Sequence, residues 1–99
     1  MTTDTATLEK TDTITLVGDH WSVIFHNDNI TTVEFVVQLL IQYFLLQPRE
    51  AIDLTYRIHE EGKAVVKQYS SYDIAEQKAT EATNVARSYG YPLKITVEK

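Results

Sequence analysis

The sequence predicts an α+β domain: a small three-stranded antiparallel sheet with three helices packed on one face, in the order β-α-α-β-α-β, behind a flexible N-terminal extension. Three observations point to it. Short segments with strand character lie at 21–25, 64–69 and 93–97. Longer stretches with helical spacing lie between them, and they are bounded by capping residues, prolines and glycines. Strands and helices in that order fit helices gathered on one face of a small antiparallel sheet.

The first thirteen residues are rich in Thr and Asp and have no apolar period, so residues 1–19 read as a mobile extension and 20–99 as the folded unit. Residues 14–17 offer a short strand that Gly18-Asp19 ends at once. From 21 to 25, Trp, Val and Phe alternate with Ser and Ile, which suits a strand buried mainly on one face. From Thr32 to about Leu46 the strongly polar positions are Glu34, Gln38 and Gln42, a stripe spaced by four on an otherwise apolar helix. Gln47-Pro48 breaks that helix, and Pro48 fits the first position of a second, where its missing N–H is not needed. Ala51, Leu54 and Ile58 form the core stripe of the second helix, with Ile52, Thr55, Tyr56 and His59 on the adjoining face. Gly62 ends it as a left-handed cap.

After the strand at 64–69, Ser70-Ser71 supplies an N-cap for a third helix. Its Ala75, Ala79, Ala82, Ala86 and Tyr89 recur at steps of four and three, a narrow face that permits close packing on a sheet. Gly90 and Pro92 stop it. Leu93, Ile95 and Val97 then alternate with Lys94, Thr96 and Glu98 in a strand with one wet face.

Composition excludes several functions. Ninety-nine residues, 43% of them hydrophobic, make one small domain. Fourteen acidic against nine basic residues give a net charge of −5, which repels phosphate backbones and anionic membranes, so no nucleic acid or membrane partner is expected. There is no cysteine, hence no disulfide framework, thiolate site or cysteine nucleophile. Nothing in the first residues resembles a signal peptide, and the longest apolar run falls short of the ~20 residues of a membrane helix. A cytoplasmic protein, or one of an equivalent bacterial-type compartment, is the expectation.

The chain is organised around the corner at 26–35, His-Asn-Asp-Asn-Ile-Thr-Thr-Val-Glu-Phe. Asn27, Asp28 and Asn29 are turn residues whose side chains bond nearby backbone. Thr31 and Glu34 have the spacing of a capping box, with Ile30 and Phe35 as its hydrophobic staple. Asn27 and Asp28 lie ahead of that cap, with oxygens free to bind something else. If the first two helices form a hairpin, His59 approaches this pair beside a crevice floored by Val33 and Val36. A carboxylate, an amide oxygen and an imidazole nitrogen there can accept hydrogen bonds from a primary ammonium, and an apolar group attached to it would fill the crevice. The residues alone also allow a plain turn at Asn27-Asp28 and a His59 held by the helix dipole. A catalytic Asp28–His59 pair lacks a recognisable Ser or Cys nucleophile, and His20, His26 and His59 lack metal-ligand spacing, so no metal or cofactor is expected.

Four blocks carry a family resemblance: residues 26–37, His-Asn-Asp-Asn-Ile-Thr-Thr-Val-Glu-Phe-Val-Val; 59–66, His-Glu-Glu-Gly-Lys-Ala-Val-Val; 73–78, Asp-Ile-Ala-Glu-Gln-Lys; and 90–93, Gly-Tyr-Pro-Leu. In register over 21–98, they resemble ClpS, the adaptor of the Clp ATP-dependent protease. The resemblance implies a non-enzymatic, monomeric adaptor for N-degron substrates, proteins whose first residue is Leu, Phe, Tyr or Trp, delivered to a Clp AAA+ unfoldase of ClpA or ClpC type. A peptide-binding module not coupled to proteolysis is the alternative. By resemblance, Asn27, Asp28 and His59 hold the substrate's α-amine. Asn29, Thr31, Val33, Val36, Thr55, Ile58 and Leu93 line the pocket for its first side chain. Asp73 and Lys78 belong to the unfoldase-docking surface, and the N-terminal extension takes part in delivery. The chain departs from the family pattern at Asn29, usually Asp; Thr32, usually Pro; Val33, usually Met; and Thr55, often Met. It also carries one extra residue around Tyr72. In the family the Met matching Val33 is a gate against β-branched first residues, so the shorter Val33 implies entry for Ile or Val, and Thr55 a more polar wall that favours Tyr.

Overall fold

In the computed structural model the described residues are 20–99. The N-terminal extension, its boundary and the short strand expected at 14–17 lie outside them. The elements are β1 (Trp21–His26), α1 (Val33–Phe44), α2 (Pro48–Glu61), β2 (Lys63–Tyr69), α3 (Tyr72–Ser88) and β3 (Lys94–Glu98). The sheet order is β2-β1-β3 with both pairings antiparallel, the α+β arrangement expected from the sequence.

β1 is the middle strand, and this changes its burial. All four residues from Ser22 to Phe25 are buried, where the alternation predicted burial mainly on one face. Val23 and Phe25 join the core shared with the helices. On the other face Ile24 is flanked by Val65 and Thr96, its cross-strand partners, and Ser22 Oγ accepts a hydrogen bond of 3.0 Å from Gln68 Nε2. Neighbouring strands on both sides cover what a helix does not. Phe25 meets Phe44 edge-on with ring centroids 5.6 Å apart. Burying each such ring contributes about 1.5–3 kcal/mol.

Ala75, Ala79, Ala82 and Ala86 are all buried, and their small side chains let α3 lie close against the sheet. Tyr89 does not continue that face. α3 ends at Ser88, Tyr89 turns out of helical geometry at φ −95°, ψ 1°, and its ring is 69% exposed. Tyr72, at the start of α3, packs edge-on against Trp21 at 4.9 Å.

α1 stops at Phe44, two residues earlier than the apolar run suggested. Leu45 takes the left-handed conformation at φ 58° and the Leu46 N–H donates to the Leu40 carbonyl at 3.2 Å. The turn leaves Leu45 in solvent and drives Leu46 into the core, which offsets the strain of a left-handed leucine. α2 then starts on Pro48 and ends on Gly62, at φ 91°, as the sequence indicated. Thr55, expected on the face adjoining the core stripe, is itself buried: its hydroxyl donates to the Ala51 carbonyl at 2.7 Å, so it needs no water. Among the described residues no helix is long and apolar enough to cross a membrane.

Candidate functional site

The site is built where β1 runs out. The backbone N–H of Asn27 donates to the Gly62 carbonyl at 2.9 Å, tying the end of the central strand to the cap of α2. His59 sits in the last turn of that helix, three residues before Gly62, and lines the same hollow as Asn27 and Asp28.

Asp28 fixes the corner itself. Its Oδ1 accepts from the backbone N–H of Ile30 at 2.8 Å and of Thr31 at 2.7 Å, and its Oδ2 accepts from the Thr31 hydroxyl at 2.8 Å. The expectation that its oxygens are free is corrected accordingly. Of the about four lone-pair positions on a carboxylate, one on Oδ2 is left for an outside donor.

The cap moves with it. Because Thr31 is committed to Asp28, Thr32 caps α1, accepting the Phe35 N–H at 3.2 Å. The predicted capping box of Thr31 and Glu34 is not formed, nor is the staple: Ile30 is 63% exposed and Phe35 packs on Tyr91 at 4.8 Å.

Partial burial pushes the Asp28 carboxyl up, but the hydrogen bonds from Thr31 and Ile30, together with the positive charge of Arg87, outweigh it. The result lies below its usual 3.8. Asp28 is therefore anionic at neutral pH.

Beside the corner is a hollow of about 260 Å³. Asn27, Asp28 and His59 line it together with Asn29 and Thr31 from the turn, Val33 and Val36 from α1, and Thr55 and Ile58 from α2. Nine of the ten residues that the sequence placed at the amine site and its pocket thus meet in one place. Leu93 does not line it. It is 1% exposed in the core just ahead of β3, drawn inward by the alternation that buries its strand's apolar side. Asp73 and Lys78 lie elsewhere, on α3, with Asp73 exposed and Lys78 half-buried. Five residues apart on a helix, they point about 140° away from each other.

Two contributors were not singled out. Gly62 was read as a cap alone, and its carbonyl is also the anchor for Asn27. Arg87 donates to the carbonyls of Tyr91 at 3.0 Å and Leu93 at 2.8 Å, and its charge acts on Asp28. A basic residue in the last turn of α3 was the available signal. Among the described residues no cluster of His, Asp or Glu is arranged to hold a metal ion.

The sequence profile described as "ATP-dependent Clp protease adaptor protein ClpS" matches residues 18–96. The chain belongs to the ClpS family. Relatives bear this out. The ClpS adapter of Clostridium acetobutylicum is 42% identical over 77 residues, 78% of this chain and 75% of that protein. That of Vibrio atlanticus is 34% identical over 92 residues, 93% of this chain and 86% of that one. Among solved structures, Agrobacterium tumefaciens ClpS2 bound to L-phenylalaninamide superposes with a TM-score of 0.76 at 35% identity, covering 80% of this chain and 94% of that one. As a ClpS protein, the chain is an adaptor of the Clp protease and not itself a catalytic enzyme.

Proposed function

We propose that this ClpS protein recognises N-degron substrates by their free α-amine and bulky hydrophobic first residue, and hands them to the Clp AAA+ unfoldase for degradation. The observation that carries the reading is the convergence of Asn27, Asp28 and His59 on one hollow with Val33, Val36 and Ile58. An α-ammonium has three N–H groups. The open lone pair of Asp28 Oδ2, the Asn27 side-chain oxygen and a His59 ring nitrogen are three acceptors of matching chemistry. The side chain on the same carbon then enters the apolar part. L-phenylalaninamide, the ligand of the Agrobacterium relative, has such an amine and a benzyl group.

Charge-assisted hydrogen bonds contribute about 1.5–3 kcal/mol each, and burial of a Leu or Phe side chain about 1.5–3 kcal/mol. The cost of association, about 4–15 kcal/mol, removes much of that sum. Modest affinity and fast release result, which suits a protein that must pass its cargo on. Delivery is assigned to the extension at 1–19 and to docking through Asp73 and Lys78 by a monomeric adaptor.

Fluorescence anisotropy with peptides differing only in residue one tests recognition, and unfoldase-dependent degradation of a Phe-start reporter tests delivery. Binding of Phe-, Tyr-, Trp- and Leu-start peptides over Ala-start ones, with adaptor-dependent degradation, is the expected result. Selective binding without degradation would leave a peptide-binding module only.

A further inference from the structure

On the other side of α1 from the hollow lies a groove of about 390 Å³ between that helix and the end of α3. Its aromatic wall is Phe35, Tyr43, Tyr89 and Tyr91, with Phe35 centred 5.3 Å from Tyr89 and 4.8 Å from Tyr91. The polar stripe of α1 supplies the rest: Glu34 carries a carboxylate, and the Gln42 side chain donates to Gln38 Oε1 at 3.4 Å. No Lys, Arg or His lines the groove. Ring faces, amide oxygens and a carboxylate all favour a cation, and a planar guanidinium stacks on a ring while bonding a carboxylate.

The hollow and the groove share a wall. Thr31 and Val33 face the first, whereas Thr32 and Glu34 face the second. A helix is about 10–12 Å across with its side chains, and an extended chain covers that in three to four residues at about 3.3–3.6 Å each. We propose that the groove is a second subsite for the substrate chain, taking the guanidinium of an arginine at about the fourth or fifth residue. This rests on the amine-pocket reading for where the peptide comes from, and on the groove alone for what it binds.

The test compares Phe-start peptides carrying arginine or its neutral isostere citrulline at position four, titrated into the full chain at low salt. The arginine peptide is expected to bind about three- to fivefold more tightly. In Tyr89→Ala and Glu34→Gln that preference disappears, while affinity for the citrulline peptide stays as in the unmodified chain. Equal affinities for the two peptides, or a preference that survives both substitutions, overturns the proposal. A second arm is independent of the amine pocket. Acetylated forms of both peptides are titrated into ¹⁵N-labelled protein, and the backbone amides of Gln38, Tyr89 and Tyr91 are followed. Shifts there with arginine but not citrulline support the groove even if the free amine proves irrelevant to binding. Their absence rejects it even if the amine is recognised.

Discussion

The Asn27 N–H and the Gly62 carbonyl are 2.9 Å apart, and this one hydrogen bond joins the two halves of the candidate site. Asn27 and Asp28 arrive on the strand side of it, and His59 on the helix side.

Gly62→Ala tests that joint. Gly62 stands at φ +91°, and a Cβ there would meet nothing within 4 Å, so the cost is backbone conformation rather than collision. A left-handed alanine is disfavoured by about 1–2 kcal/mol. For a domain of this size, each kcal/mol lowers the melting temperature by about 4–8 °C. Thermal denaturation is expected to show that drop together with weaker binding of a Phe-start peptide; an unchanged melting temperature contradicts the assignment.

Asp28 holds the turn and, in the proposed reading, also receives the amine, and two substitutions divide these roles. Asp28→Asn keeps an oxygen for the N–H groups of Ile30 and Thr31 but loses the negative charge, so the fold is expected to survive while peptide affinity falls about 10- to 100-fold, the equivalent of one charge-assisted bond. Asp28→Ala removes all three bonds and is expected to destabilise the turn as well. Denaturation and anisotropy together read the two effects, and equal affinity for both variants and the unmodified chain counts against a role in amine binding.

The pH dependence of stability follows from His26. Burial, then the charges of Lys94 and Lys63, lower its pKa below 6.5, and Glu98 opposes them; its Nε2 lies 2.9 Å from Thr96 Oγ1. Below pH 6.5 the unfolded imidazole binds a proton that the folded one refuses. The contribution to stability is therefore complete above 6.5 and lost as pH falls through the lowered folded value. Urea denaturation between pH 7.5 and 5 is expected to show this decline, and His26→Asn to flatten it. An equal slope in both chains would assign the decline to other groups.

Asp28 behaves in the same direction at lower pH. Its stabilising bonds are present above 3.8 and are lost as pH falls through its depressed value. If the proposed amine recognition holds, substrate binding has a different alkaline limit, because the peptide α-amine deprotonates near 7.7–8.0. Affinity for a Phe-start peptide is expected to fall between pH 7.5 and 9.5, and a flat profile there removes the ammonium from the interaction.

Val33 lines the hollow and is 46% exposed at its edge. The unmodified chain is expected to accept Ile-start peptides, and Val33→Met, which extends a longer side chain over the hollow, is expected to reject them with Phe-start binding kept. Rejection of Ile-start peptides by both chains would show that Val33 does not set this boundary.

Much of this was legible in the sequence because local and tertiary preferences agree. Pro48 and Gly62 mark helix ends by backbone chemistry and Ser71 by its capping hydroxyl, and the four alanines of α3 meet the sheet as their spacing requires. What failed depended on competition or on neighbours. Thr31 and Thr32 are equivalent caps until Asp28 claims the first. Leu45 carries no glycine-like signal, and its left-handed turn follows from the burial of Leu46. Thr55 is polar in composition but internally bonded in place. Leu93 matched the family pattern by position, whereas its depth depends on how β3 meets the core. Arg87 acts on Asp28 from a distant segment, which no local pattern encodes.

The central claim is that Asn27, Asp28 and His59 grip a charged chain end. Its most direct test is the affinity of one Phe-start peptide with a free and with an acetylated terminus, measured by fluorescence anisotropy at pH 7. Acetylation removes the charge and two of the three N–H donors but leaves the benzyl group, and is expected to weaken binding by at least about tenfold, the loss of one charge-assisted bond. Equal affinity for the two forms would contradict the claim.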